Sequence, residues 1–420
     1  MSTTTAIAPK EKFLQLVEES KKQFGLADHQ RDTAVEFLNQ FEIPTTRDEE
    51  WRYTRTTKLS NESWKWSNDH SVETIIPYRI PKLNALELVF VNGKFSQELS
   101  SSILLDGLTF MEGASLVSNE ANQNAPANFF EAFQRATTTG TIYLEVAPKV
   151  ALEKHIHIIH LITDTNTVST PLIVLNLQAN SKLSVTESFC GNTKGLTIRR
   201  LSANVAANAR LEYNKIQNEG DEHYLINIEE VAIDRDGYSN LNTLTVAGGW
   251  VRNDLRIALN GENIDANLSG FYLPRNKQHI DNHTKVDHKL PHCVSNELYK
   301  GILFDSSTGV FNGKVYVWKD AQKTNAYQNN ANIIAGDNAV MNTKPELEIY
   351  ADDVKCSHGT TTGQLDEQAM FYLRARGMSP DSARKLLTTA FINDVLNKVD
   401  EEVVREYVIQ LLVEKELLTL

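Results

Sequence analysis

Two hydrophobic periods divide the chain. Pro9 stands at a first-turn position, and Phe13, Leu16, Val17, Ser20 and Phe24 follow at helical spacing before Gly25. The same spacing predicts a second helix over 28–40, with Ala34, Phe37, Leu38 and Phe41 on one stripe. After a Trp- and Arg-rich stretch from Pro44 to Thr54, Leu86 to Phe95 alternates with a period of two around Asn92-Gly93, a hairpin signal. From about residue 140 to 355, short β-branched runs are separated by Asn, Gly, Asp and Ala turns. Leu183 follows Ala179-Asn-Ser-Lys, Leu211 follows Ala207-Asn-Ala-Arg, Leu241 follows Gly237-Tyr-Ser-Asn and Leu268 follows Asp265-Ala-Asn, at spacings of 28, 30 and 27 residues. A strand-rich phrase recurring at that interval predicts a β-solenoid whose coils stack over a continuous core, with a β-sandwich as the alternative.

After Gly363 the period returns to helical. Asp366 caps a helix running to Arg376 and ending at Gly377, and Ser379-Pro380-Asp381 begins another. Ala383, Leu386, Leu387, Ala390 and Phe391 form one stripe, and Val404, Tyr407, Val408, Leu411 and Leu412 form the next. Such helices either cover the end of the solenoid or dock a partner. The expected organisation is a helical region over 1–75, a β-rich connection over 76–145, the solenoid over 146–363 and a helical region over 364–420.

Composition narrows the function. Hydrophobic content is 41% and charged content 23%, ordinary for a folded chain, and the net charge of -12 with a pI near 5.5 disfavours a nucleic-acid surface. No apolar run of about 18 residues predicts a membrane span. The first residues lack the pattern of an export signal, so a cytoplasmic location is expected. Three cysteines, Cys190, Cys293 and Cys356, are too sparse for a disulfide framework.

Candidate chemistry centres on Cys356 and His358. In an extended strand, side chains two apart leave the same face, close enough to serve one metal or cluster. Two ligands fall short of the four that closed sites usually take, so a second chain or a temporary site is implied. His279, His283, His288 and His292 are four apart in pairs; on a helix they would bind zinc, but the strand-rich context favours hydrogen-bonded turn histidines. His155 and His157 alternate with Ile156 and Ile158, which predicts solvated imidazoles. Gly359-Thr-Thr-Thr-Gly363 lacks a Gly-Lys-Ser/Thr ending, so no ATP site is expected. A stand-alone carbohydrate-active solenoid would need grouped carboxylates, for which Asp281, Asp287, Asp352 and Asp353 are candidates.

Several phrases are similar to the SufB/SufD family. These are residues 281–293, Glu297-Leu-Tyr-Lys-Gly301, Gly309-Val-Phe-Asn-Gly-Lys314, Asp320-Ala-Gln-Lys-Thr324, Asn342-Thr-Lys-Pro345 and Leu347-Glu-Ile-Tyr-Ala-Asp-Asp-Val-Lys-Cys-Ser-His-Gly359. Within the family, residues 355–359 and Glu49-Glu-Trp-Arg-Tyr-Thr54 resemble the SufD branch. The resemblance implies a right-handed parallel β-helix between helical N- and C-terminal regions. It implies a non-catalytic scaffold of iron–sulfur cluster assembly, paired with SufB through the β-helix and with the ATPase SufC on the C-terminal helices at Ala383, Leu386, Leu387, Ala390 and Phe391. Reduced flavin is implied at the level of that complex. His358 and Cys356 would face a SufB cysteine across a transient, shared cluster. Asn338-Ala-Val-Met341, at the matching place here, has no cysteine, so a homodimer of this chain should be a poor scaffold.

Overall fold

The computed structural model describes residues 7–23, 28–113 and 125–418. Helices Pro9–Gln23 and Asp28–Gln40 form as their apolar spacing predicts; Phe24 and Gly25 lie outside the described residues. Asn92 and Gly93 both take positive φ, 50° and 83°, the requirement of a two-residue hairpin, and Ala85–Val91 turns back to pair with Lys94–Ser96.

From there the strands alternate between two sheets of ten strands each among the described residues. Pairing is parallel from Ala85–Val91 beside His155–Leu161 to Asn325–Ile334 beside Lys355–Gly363. The chain is a β-solenoid of about eight turns with helices at both ends. Inward positions of both sheets, among them Leu183, Val185, Leu211, Leu225, Leu241, Val251, Leu268 and Ile280, fill one apolar core.

The true repeat is set by one corner. Asn180, Asn208, Asp236, Asn263 and His292 all adopt left-handed backbone there, at φ between 57° and 61°. Asn and Asp tolerate that conformation, and their side chains bond down the stack: Asn208 donates to Asn180 at 2.7 Å and Asn263 to Asp236 at 3.3 Å. The leucine phrase is therefore offset. Leu183 pairs with Leu211, but Leu211 pairs with Ser239 and Tyr213 with Leu241. A shift of two residues keeps the side chain on the inward face.

The outer faces are apolar as well, and helices cover them. Leu196, Ile198, Tyr224, Ile226 and Ile228 meet Phe13, Trp51, Phe129, Phe130 and Phe133. On the other sheet Ile216, Leu244, Val246, Phe271 and Ile302 meet Ile392, Val395, Val404, Val408 and Leu412. Burying each large aliphatic contributes about 2 kcal/mol. The C-terminal helices thus cover the flank of the solenoid, not its end. His155 and His157 are also corrected: both are buried, on a strand whose outer face is covered at Ile159 and Leu161 by the chain around Ile75 and Tyr78. Their imidazoles bond the Thr186 and Ser188 hydroxyls at 2.8 and 2.9 Å. Burial pushes them down to about 4 and about 3, so they are neutral.

Candidate functional site

Polar side chains enter the solenoid interior in several places, among them a charged network and the last coil. In the first, Arg199 bonds Glu187, Tyr213 and Glu229, Tyr213 donates to Glu187, and Lys215 pairs with Glu229. His160 bonds Glu187 at 2.6 Å, and burial pushes its imidazole down to about 3. Burial would raise Glu229, but Lys215 and Arg199 outweigh it and hold the carboxyl low. Charges this well matched are structural.

The segment Glu49–Thr54 clasps the outer face of strand His279–His288. The Arg252 guanidinium lies 4.4 Å from the Trp51 ring centroid, donates to the Glu50 carbonyl at 2.7 Å and pairs with Asp254 and Asp281 at 2.8 and 2.7 Å. Thr54 bonds His279 at 2.9 Å and also Asp281; His283 lies 3.0 Å from Asp281 and 3.3 Å from Glu50. Burial and Arg252 push His283 down, but Asp281 and Glu50 more than offset them, so it sits above the usual histidine value. The histidines of this stretch therefore lie on a strand, with only His292 at a turn. His279, Asp281 and His283 share its outer face and His288 points inward to Ser295 at 2.8 Å. Among the described residues no group of three His, Cys, Asp or Glu side chains is arranged to hold a metal ion. The candidate acids are dispersed: Asp281 is locked by Arg252, Asp287 pairs with Lys285 and Asp353 with Lys323.

A cleft of about 680 Å³ lies between this clasp and the sheet. Its carboxylates, Glu42, Asp48, Glu49, Glu50, Asp254 and Glu346, outnumber its cations, Arg252, Arg256, Lys285 and Lys314, each of which is already paired. That lining does not fit the phosphates of a flavin dinucleotide.

The second polar place is the open end. Val340–Ile349 and Lys355–Gly363 are the last strands of their sheets, each paired on one side only among the described residues. Gly359-Thr-Thr-Thr-Gly363 is part of this edge strand, not a loop. Cys356 lies beside Ala326 and packs with Val315, Val317 and Leu347; burial raises its thiol above the usual value. His358, two residues on, is exposed and lies beside Gln328. Gln328 in turn lies beside Glu297 and donates to it at 2.7 Å. Burial pushes the Glu297 carboxyl up to about 7. Trp318, Tyr327, Val340, Ile349 and Tyr350 are exposed around the same end, and Asn338–Met341 leads into its edge strand. The strand expected from the sequence carries Cys356 and His358 two residues apart, but the sequence did not reveal Glu297 and Gln328. Gln328 lies one coil from His358 and Glu297 two, a signal only once the register is known.

On helix Pro380–Leu396 the stripe expected to dock a partner divides. Ala383 is fully buried within this chain, and Phe391 packs under the Lys300 ammonium. Leu386 and Ala390 are exposed and Leu387 is half-buried. Phe371 and Tyr372, on helix Glu367–Ala375, are more exposed than Leu386.

Residues 160–391 match the family model described as SUF system FeS cluster assembly, SufBD core domain. An iron–sulfur cluster assembly SufBD family protein of Synechocystis is 28% identical, covering 93% of this chain and 92% of the relative. The iron–sulfur cluster assembly protein SufD of Escherichia coli is 29% identical, covering 87% and 88%. With the solenoid, its flanking helices and an end that exposes the 355–359 motif, these matches show that the chain belongs to the SufBD family of iron–sulfur cluster assembly proteins.

Proposed function

We propose that the chain is a SufD-type, non-catalytic scaffold subunit that builds nascent iron–sulfur clusters with SufB and the ATPase SufC in the cytoplasm. The observation that carries this reading is the open end of the solenoid. Two strand edges there have no strand beyond them among the described residues, and the same end exposes His358 beside a half-buried Cys356. Unpaired edges of this kind accept strands from another chain. Imidazole and thiolate are both iron ligands, and two of them from one chain leave room for a partner's thiolate. The raised Cys356 thiol fits a ligand that deprotonates only on binding iron, or one that only packs. SufC would meet Leu386, Leu387 and Ala390, with Phe371 and Tyr372 extending that surface; Ala383 and Phe391 would support it from within.

Co-expression with SufB and SufC of the same organism, followed by pull-down and light scattering, tests the assembly. A complex containing all three chains is expected, with cluster formation lost in His358→Ala. A chain that stays alone would overturn the proposal. The carbohydrate-enzyme alternative is not favoured, since its candidate acids are dispersed and Asp281, Asp287 and Asp353 are paired.

A further inference from the structure

His358 carries two ring nitrogens, and a ligand histidine works only if the proton sits on the nitrogen turned away from the metal. Such a ligand is normally fixed by an acceptor for that second N–H. The coil register supplies one. Glu297, Gln328 and His358 occupy matching positions on three successive strands of one sheet, about 4.8 Å apart. Polar side chains at such positions bond each other repeatedly in this solenoid: Asn242 to Asn214 at 2.9 Å, Thr245 to Gln217 at 2.6 Å, Asn253 to Asn282 at 2.9 Å.

Gln328 is 3% exposed, and its amide Nε2 is used on Glu297. Its Oε1 is buried and has no partner among the described residues, and His358 is the next side chain in the column. Gly313 independently shows that this amide has a built seat. A Cβ at 313 would come within 2.1 Å of Gln328 Nε2, so only glycine leaves the amide where it lies.

Resting on the scaffold reading above, we propose that Gln328, held by Glu297 and seated on Gly313, is a positioning residue for His358. Its Oε1 accepts one imidazole N–H, so the other ring nitrogen keeps its lone pair for the iron of the growing cluster.

The test uses the full chain with ring-15N histidine at pH 8, His358 being assigned by its loss in His358→Ala. Wild type should show one tautomer. Gln328→Leu should show a mixture, and so should Gly313→Ala, which moves the amide without removing it. Equal tautomer populations in wild type and both variants would overturn the proposal. In the complex with SufB and SufC, Gln328→Leu should reduce cluster formation about 10-fold, with the complex still assembling. If Gln328→Leu frees the tautomer but cluster formation is unchanged, the link to iron fails. If His358→Ala itself builds clusters normally, the scaffold-site reading fails, whatever the tautomer does.

Discussion

The Arg199 network and the last coil of the solenoid differ in one respect. Around Arg199, each charge meets its opposite on a neighbouring strand or across the core on the facing sheet: Glu187 and Glu229 are shared among Arg199, Lys215, Tyr213 and His160. At the last coil no further strand lies beside Lys355–Gly363 among the described residues, and Glu297–Gln328–His358 ends in an exposed ring. A solenoid can bury charge wherever strands on both sides supply partners. Where they stop, unmet groups remain, and those groups mark a place for another molecule.

The largest effect should come from opening the sealed region. Arg199→Ala leaves Glu187 and Glu229 buried without their shared cation and should cost about 3–5 kcal/mol in denaturant unfolding. Retention of wild-type stability would mean that the network is no more structural than the open end.

Two buried groups should respond to pH with opposite signs. On the outer face of the strand that carries His160 into the sealed region, the unfolded chain takes a proton on His157 below about 6.5 that the fold refuses until about 3. Stability therefore falls as pH drops through that window, by up to about 1.4 kcal/mol per pH unit, and His157→Gln should flatten the acid limb by that one proton. Glu297 works the other way. The fold keeps its proton to about pH 7, whereas the unfolded chain releases it near 4.5. Stability then falls as pH rises from about 4.5 to about 7, with a similar slope, and Glu297→Gln should remove it. Unfolding curves across pH 3 to 8 would check both.

The smallest stability effect belongs to the residue with the largest functional one. His358→Ala touches an exposed ring and should change stability by no more than about 0.5 kcal/mol, while abolishing cluster formation in the complex. A large loss of stability would turn the open end into another structural region.

Local chemistry was legible along the chain. Asp366 accepts from the Gln368 and Ala369 amides, Ser379 from Ser382, and Pro9 opens its helix, because a cap depends only on residues within one turn. The coil repeat was legible in outline, since Asn and Asp mark the left-handed corner. The leucine phrase missed the register because alternate inward positions look alike in sequence. His155 and His157 were misread for a related reason: alternation shows which side chains share a face, not whether that face is wet. That both imidazoles are buried, with Val72, Ile75 and Tyr78 packed outside the same strand, is visible only in the fold.

By itself, then, the sequence determined the strands, the corners, the helix ends and the pairing of Cys356 with His358. All of these follow from contacts between near neighbours in the chain. Tertiary structure alone decided that the C-terminal helices lie along the flank and leave the end open. It also decided that Glu297, Gln328 and His358 form one column seated on Gly313. Those contacts join residues about 30 positions apart, and their distance depends on the length of every corner between them, which no local pattern encodes.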